Sequence, residues 1–263
     1  MKIALFSDIH IPGSFSVRNF FDKRIFGFAN SRFFRARYRM ECIPVAVSCI
    51  LEEKPDLILF AGDAVSCGNP PEYETALRYL APLVESKIPI LFSPGNHDYY
   101  VGNAVCRNAF LNFYHELTGR EWTPDPVVYE TDELRFVVLD LTKATRPWLS
   151  CGYLSELAAD FVRRYAENGD KRPVVLLTHF PIVHRNGTSL TARRHGLIGF
   201  QQLAPAITEQ KNILVLSGHN HKPAQNLNQD GFGEIVAGSL TKYHVFRMLQ
   251  YRHGRFTCET RRV

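Results

Sequence analysis

Long apolar segments are missing from this sequence. No hydrophobic run approaches the roughly 20 residues that a helix needs to cross a bilayer, although 45% of the 263 residues are hydrophobic. Residues 1–8 are too short for the apolar part of an export signal, have no small-residue cleavage site and look like a first core strand. The sequence therefore predicts a cytoplasmic protein that starts at Met1 and has a sizeable core.

Paired cysteine motifs are missing as well. The six cysteines are scattered along the chain, and no two of them form a CxxC pair. Zinc-knuckle and redox-motif interpretations therefore fail, and a disulfide framework is not expected in a chain this long without an export signal. We expect six thiols, most of them buried.

Positive charge is scarce outside one segment. The formal net charge is +5, but residues 18–39 alone hold seven basic residues against the single acid Asp22, together with seven aromatic rings. Three interpretations of this basic aromatic insert, at about 14–40, stay open. It is a helix that packs its Phe face on the core, an interfacial helix at an anionic membrane surface, or, less favoured, a nucleic-acid platform. The second interpretation would place the protein at the inner face of the membrane.

Short apolar runs alternate with helical patterns along most of the chain. Runs with the length and composition of buried strands lie at 3–6, 57–60, 88–92, 136–139, 174–177 and 213–216. Helices are predicted at 45–53, 72–85, 104–117, 155–168 and 200–210. After Gly233 the pattern changes to short strand-like pieces, which indicates an antiparallel end to a sheet. The alternation predicts an α/β layered sandwich, and the lack of a linker predicts one domain over residues 1–263.

Polar residues follow five of the predicted strands, just beyond the point where each strand ends. The five clusters are Asp8-Ile9-His10, Gly62-Asp63, Gly95-Asn96-His97-Asp98, His179-Phe180-Pro181 and Gly218-His219-Asn220-His221. In α/β sheets the crevice beyond the carboxyl ends of the strands binds ligands, so we expect these clusters to converge. Each cluster alone is typical of a turn or a cap, but turn chemistry does not explain five of them in one chain.

This series of motifs resembles the calcineurin-like metallophosphoesterase family, in the family's order and spacing, and it looks like the small bacterial phosphodiesterase and phosphatase branch. The fold implied is a four-layer sandwich of two mixed β-sheets flanked by helices. The activity implied is metal-dependent hydrolysis of a small-molecule phosphate ester. The resemblance also implies two divalent metal ions, which the oxygen and imidazole ligands restrict to Mn, Fe, Zn or Co.

The resemblance further implies which residues hold the ions. The first ion would be held by Asp8, His10, Asp63 and His221, and the second by Asp63, Asn96, His179 and His219. Asp63 would be shared because a carboxylate offers two oxygens to two ions. Two such ions can bind a phosphoryl oxygen and hold a hydroxide for in-line attack on phosphorus.

His97 is the remaining motif histidine, and the resemblance implies that it protonates the leaving group. A role in orienting the metal ligands is the alternative. Protein Ser/Thr phosphatases of the superfamily follow the metal Gly-Asp with Asp-Arg-Gly, whereas this chain has Ser66 and Cys67 in place of that carboxylate and guanidinium. The departure argues against a protein phosphatase and leaves open what orients His97.

The loop after His179 carries a further candidate set. In the implied fold, Arg193, Arg194 and His195 would overhang the metals, and arginines can bind a substrate phosphate bidentately; a solvated loop is the alternative. The motifs leave the substrate open among a cyclic nucleotide, a phosphomonoester and a lipid-linked nucleotide pyrophosphate of the UDP-diacylglucosamine type cleaved at a membrane surface. A non-catalytic scaffold or a nucleic-acid-binding module on the same fold is the alternative of another class.

Overall fold

The computed structural model describes residues 1–13, 24, 38–99, 101–145, 149–182, 196–203 and 212–263. Arg193, Arg194 and His195 lie outside these residues, and so does most of the basic aromatic insert, of which only Arg24, Tyr38 and the residues beyond it are described. The hypotheses of a membrane or nucleic-acid surface at residues 18–39 and of phosphate binding by residues 193–195 therefore stay predictions.

Strands and helices alternate over most of the described chain. The strands are β1 (Lys2–Phe6), β2 (Leu57–Phe60), β3 (Ile90–Phe92), β4 (Val127–Glu130), β5 (Arg135–Val138), β6 (Gly152–Tyr153), β7 (Val174–Leu177), β8 (Leu197–Ile198), β9 (Ile213–Ser217), β10 (Ala224–Leu227), β11 (Gly233–Val236), β12 (Val245–Arg252) and β13 (Arg255–Arg262). The α-helices are α1 (Cys42–Glu52), α2 (Pro70–Glu85), α3 (Ala104–Thr118), α4 (Glu156–Ala166) and α5 (Leu240–Tyr243). Of the helix predicted at 200–210, Phe200–Gln202 form a 3₁₀-helix, and residues 204–211 lie outside the described set.

Two large mixed sheets organise these elements. The first has the order β13-β12-β1-β2-β3, in which β1, β2 and β3 are parallel and β12 runs antiparallel to β1 and β13. The second has the order β10-β11-β9-β7-β5-β4, with a parallel centre and antiparallel pairs at both edges. The parallel centres bring the carboxyl ends of β1, β2, β3, β7 and β9 to the ends of their sheets where ligands bind in α/β folds.

The central strands are apolar on both faces because each sheet is covered on both sides. In β2, Leu57 and Leu59 enter a core between the two sheets, while Ile58 and Phe60 enter a second core on the outer face, since side chains alternate along a strand. The outer core of the first sheet includes residues of α1, α2 and α3, and that of the second sheet includes residues of α4. The result is the four-layer α/β sandwich that the sequence predicts.

Local signals set the ends of several helices. Pro70 stands in the first turn of α2, where its missing N–H costs nothing. Asn103 and Ser155 cap α3 and α4 by accepting a backbone N–H through their side chains, and Gly119 ends α3 at a φ of 69°. All six cysteines are described as free thiols, and three of them, rather than most, are buried. Among the described residues, no helix has the length and hydrophobicity needed to cross a membrane.

Candidate metal and catalytic site

The predicted clusters converge where the central strands of the two sheets end. Backbone hydrogen bonds join the loops directly: the N–H of Asp8 donates to Gly62 O at 2.9 Å, and the N–H of His10 donates to Asp63 O at 3.0 Å. From the second sheet, the N–H of His219 donates to Oδ2 of Asp8 at 3.1 Å. Side chains from both sheets therefore meet in one place.

A first group of four side chains has its nitrogen and oxygen atoms within 4.8 Å of one another: Asp8, His10, Asp63 and His221. Nε2 of His10 lies 3.6 Å from Oδ1 of Asp8 and 3.6 Å from Oδ2 of Asp63. Nε2 of His221 lies 3.4 Å from the same Asp8 oxygen and 2.9 Å from Nε2 of His10. These atoms surround one point, as the ligands of a cation do.

A second group consists of Asp63, His179 and His219 under the same distance criterion. Nε2 of His179 lies 3.3 Å from Oδ2 of Asp63. Its Nδ1 lies 2.6 Å from Ala61 O, and since a carbonyl only accepts, Nδ1–H donates to it, which leaves Nε2 as the ring nitrogen that faces Asp63. Asp63 belongs to both groups. Its Oδ2 lies 3.6 Å from Nε2 of His10 and 3.3 Å from Nε2 of His179 and so faces both groups, while its Oδ1 accepts the N–H of His97 at 2.8 Å.

Buried polar atoms without a hydrogen-bond partner test whether cations fit here. Among the described side chains, seven such atoms occur, and three of them are Oδ1 of Asp8, Oδ1 of Asn96 and Nε2 of His179. Each belongs to a residue that the sequence motifs suggest as a ligand. A buried polar atom is costly unless something compensates it, and an ion among these atoms would do so. The donor set, imidazole nitrogens with carboxylate and amide oxygens, suits divalent transition metals.

The electrostatics of the two groups favour positive charge. Burial opposes a charged His179, but Asp63 and Asp8 outweigh it and raise the pKa of His179 to about 9. Burial lowers the pKa of His219 to about 3 and that of His221 to about 4, so these two rings are neutral at pH 7 and offer lone pairs. Carboxylates that stabilise an imidazolium beside them stabilise a bound cation for the same reason.

Backbone strain is concentrated in the same loops. Among the described non-glycine residues, Asp8, His10, Asp63, His219 and His221 have φ values of 47° to 63°, in the left-handed region. This conformation is unusual for residues with a Cβ and persists where the surroundings determine it, as at functional sites. The Asp-x-His and His-x-His pairs adopt it at both members, so the two-residue spacing in the sequence marks a strained turn.

Asp98 holds two of these loops together, a role that the sequence did not predict. Its buried carboxylate accepts the N–H groups of Asp63, Ala64 and Gly95, each at 2.8 Å. The approach is so close that a Cβ added to Gly95 would collide with the carboxylate of Asp63. The motif Gly95-Asn96-His97-Asp98 thus supplies the candidate ligand Asn96 and the candidate proton donor His97. It also supplies Asp98 as a clamp, a carboxylate that joins the two loops.

The structure shows which group orients the ring of His97. Nδ1 of His97 lies 2.7 Å from the carbonyl oxygen of Ser66. Since the carbonyl oxygen is an acceptor only, Nδ1 donates to it, which leaves Nε2 as the nitrogen for proton exchange. The ring stands edge-on to His10, with centroids 4.9 Å apart. A backbone carbonyl thus takes the place of the carboxylate that protein phosphatases supply.

Tyr38, near the end of the basic aromatic insert, lies beside this site. The Tyr38 ring stands edge-on to His10, with centroids 5.4 Å apart, and to His221, with centroids 6.2 Å apart. Lys242 of α5 places Nζ 3.2 Å from Nδ1 of His221 and 5.9 Å from the centre of the Tyr38 ring. Arg24 donates to Oδ1 of Asn69 at 2.9 Å. Tyr38 and Lys242 form a rim beside the first group; the position of the insert directly after His10 predicts such a place for Tyr38, whereas sequence reasoning missed Lys242.

Sequence comparison with known proteins also indicates a phosphoesterase. The sequence profile of the calcineurin-like phosphoesterases matches residues 1–223. The chain is 28% identical over 198 residues to the glycerophosphodiester phosphodiesterase GpdQ of Enterobacter lignolyticus, covering 72% of this chain and 63% of that protein. It is 28% identical over 133 residues to a probable cyclic nucleotide phosphodiesterase of Rhodococcus erythropolis, covering 49% and 40%. The chain therefore spans less than two thirds of the length of these curated relatives.

Solved structures share the architecture. A dimetal phosphatase from Danio rerio superposes with a TM-score of 0.70 at 14% identity, covering 100% of this chain and 96% of that one. A purple acid phosphatase from yellow lupin seeds superposes with a TM-score of 0.63 at 13% identity, covering 100% and 51%. At these identities the likeness concerns the fold. Because the profile match extends over most of the sequence, the chain belongs to the calcineurin-like phosphoesterase family.

Proposed function

We propose that the protein hydrolyses phosphate diesters with the help of two divalent metal ions. The observation that carries this proposal is the arrangement of two ligand groups around one shared carboxylate, Asp63. Asp8, His10, Asp63 and His221 would hold one ion, and Asp63, Asn96, His179 and His219 the other. When bound, such ions supply Lewis acidity to phosphoryl oxygens and lower the pKa of a water molecule to near neutrality.

His97 supplies the proton in this proposal. Water loses a proton to solvent as it adds to phosphorus, the ester P–O bond breaks, and the departing oxygen takes a proton from Nε2 of the imidazolium form of His97, which then regains a proton from solvent. The Ser66 carbonyl fixes the ring through Nδ1, and the bond from the N–H of His97 to Asp63 fixes its backbone against the shared ligand. A positioned acid of this kind contributes about 10²–10⁴ to the rate.

The names of the relatives support a phosphodiester as the substrate class, and the charge of the site is compatible with it. A phosphodiester carries one negative charge, which suits a site with two cations and the ammonium group of Lys242 at its rim. The similar proteins are named for glycerophosphodiester and cyclic nucleotide hydrolysis, so both ester types belong in the first test. The lipid-linked pyrophosphate and the phosphomonoester are alternatives that the same test separates.

The test is a metal-reconstituted screen. Chelated protein is loaded with Mn, Fe, Zn or Co, and hydrolysis is measured on a glycerophosphodiester, a cyclic nucleotide, a phosphomonoester and a nucleotide-sugar lipid. We expect diester hydrolysis that disappears on chelation and returns with metal. Asp63→Ala is the control and should lose both metal and activity. Full activity in a sample shown by elemental analysis to be metal-free would contradict the proposal, and preference for the lipid pyrophosphate would replace the substrate class.

A further inference from the structure

A buried carboxylate lies outside both ligand groups and has no part in the mechanism above. Glu72 is only 1% exposed, although it stands in the first turn of α2, where an acid is usually solvated. A Cβ added to Gly13 would collide with its side chain, which shows how closely the chain packs against it. Burying a carboxylate is costly unless its oxygens are satisfied, so the partners of Glu72 indicate what it does.

Those partners all belong to the loop between β2 and α2. Oε2 of Glu72 accepts the N–H of Cys67 at 2.7 Å and the N–H of Ser66 at 3.0 Å. Oε1 accepts from Nδ2 of Asn69 at 2.9 Å. One carboxylate therefore holds the loop through several donors. Burial raises the pKa of Glu72 to about 6 against these hydrogen bonds, so at neutral pH the group is ionised and accepts at both oxygens.

The same loop presents the carbonyl group of Ser66 to His97. The carbonyl oxygen accepts Nδ1–H of His97 at 2.7 Å, while the Ser66 N–H on the other side of the residue is bound to Glu72. The Ser66 hydroxyl donates to His10 O at 3.0 Å and anchors the residue from a third direction. Small rotations of the peptide groups around Ser66 would turn its carbonyl away from the ring, and Glu72 restrains them.

We propose that Glu72 is a positioning residue for the leaving-group acid, acting through the Ser66 backbone on Nδ1 of His97. In protein Ser/Thr phosphatases a carboxylate partners the histidine directly. Here the carboxylate of Glu72 acts on His97 indirectly, through the Ser66 backbone. The inference deepens the proposed function and rests on His97 as the proton donor. Hydrogen bonds to a charged acceptor are stronger than neutral ones, so the carboxylate gives the loop a fixed conformation that an amide would not.

The test is a double-mutant cycle with Glu72→Gln, His97→Ala and the double variant. Each is assayed on two phosphodiesters, one releasing p-nitrophenolate and one releasing an unactivated alcohol. Because only the poor leaving group needs a proton, Glu72→Gln should lower kcat for the alcohol ester about tenfold, part of the roughly 10²–10⁴ from a positioned acid. It should leave KM and the aryl ester nearly unchanged. In the His97→Ala background, Glu72→Gln should have no further effect on either substrate.

Control measurements distinguish a positioning role of Glu72 from a general loss of structure in Glu72→Gln. Leu80 lies on the same helix as Glu72, in the outer core of the first sheet, and Leu80→Ala should reduce stability and spare the leaving-group ratio. Metal content is counted for every variant, and the Nδ1–H proton of His97 is followed by NMR in the zinc-loaded protein. We expect Glu72→Gln to keep its metal and to shift or broaden that proton signal.

The outcomes distinguish two failures. If His97→Ala itself shows no dependence on the leaving group, the proposed role of His97 is wrong and the inference about Glu72 is overturned with it. If His97→Ala behaves as expected but Glu72→Gln lowers both esters equally, or adds its full effect to His97→Ala, then Glu72 has only a structural role. An unchanged Nδ1–H signal together with unchanged kinetics would also overturn the inference.

Discussion

His97 and Asp63 contact each other but should fail in different ways when replaced. His97→Ala removes the proposed proton donor and no proposed ligand, so we expect kcat to fall by roughly 10²–10⁴ with both ions retained. Asp63→Ala removes the oxygen that faces both groups and should lose metal and activity together. Elemental analysis and kcat measurements on the purified variants distinguish loss of the proton donor from loss of metal. Loss of a whole ion in His97→Ala would make that residue a ligand.

The raised pKa of Glu72 should also make the free energy of unfolding depend on pH. Its pKa is raised from 4.5 to about 6 in the folded protein, so between these values the folded state binds more protons than the unfolded state. Stability therefore falls as pH rises through this window, by about 2 kcal/mol for a shift of this size. Above pH 6 both states are ionised and the penalty is constant.

The measurement compares urea unfolding of chelated wild type and Glu72→Gln at pH 4.5 and pH 7. Taking the difference between the two proteins cancels the other titrating groups. We expect the stability of the wild type relative to the variant to decrease by about 2 kcal/mol between these pH values. A constant difference would mean that the carboxylate has an ordinary pKa in the folded protein.

At the scale of elements, the loops after β2 and β3 are joined by Asp98 as a single unit. Asp98→Asn replaces one acceptor oxygen by a donor that faces backbone N–H groups, which costs about 1–3 kcal/mol. We expect lower stability and weaker metal binding, measured by thermal unfolding and calorimetric titration. Asp140→Asn is the matched control, since Asp140 accepts from Trp122 and Thr142 and should change stability alone. Equal metal affinity in both variants would show that the clamp does not act on the site.

The central strands and both edge strands of the first sheet were predictable from the sequence, while several short strands, β6, β8 and β10 among them, were not. β2 and β7 are apolar on both faces because both faces are buried, and such runs stand out in any sequence. β10 has the sequence Ala-Gln-Asn-Leu at a sheet edge with half its residues exposed, and β6 and β8 have two residues each. Pairing with a neighbour makes these segments strands, and pairing leaves little trace in composition.

The candidate site likewise has a part that the sequence predicts and a part that it does not. The predicted aspartate and histidine ligands converge because distinctive side chains follow strands whose ends the sheet topology brings together. The partner of His97 was not predictable, since a backbone carbonyl such as that of Ser66 carries no residue signature. Glu72 reads in the sequence as an ordinary acid in a first helical turn, and only its burial shows otherwise. The prediction of a single domain over residues 1–263 stays a prediction, supported by a core that both sheets share.

At the scale of the whole molecule, the proposed ions would connect the two sheets. Asp8, Asp63 and Asn96 follow strands of the first sheet, and His179, His219 and His221 follow strands of the second. Unfolding must separate these ligands, so metal that binds only the folded protein stabilises it by mass action. The gain is about 2.7 kcal/mol per ion at a hundred times the dissociation constant, which corresponds to several degrees in a protein of this size.

Thermal unfolding with and without chelator therefore provides a test that does not depend on finding the substrate. We expect wild type to melt several degrees higher with excess metal than with chelator, and the shift to grow with metal concentration. Asp63→Ala should lose most of the shift, because its carboxylate serves both groups. His97→Ala should keep it in full, since the hydrogen bond from His97 to Asp63 comes from the backbone N–H, which alanine retains. A shift that persisted unchanged in Asp63→Ala would place the stabilising metal outside this site.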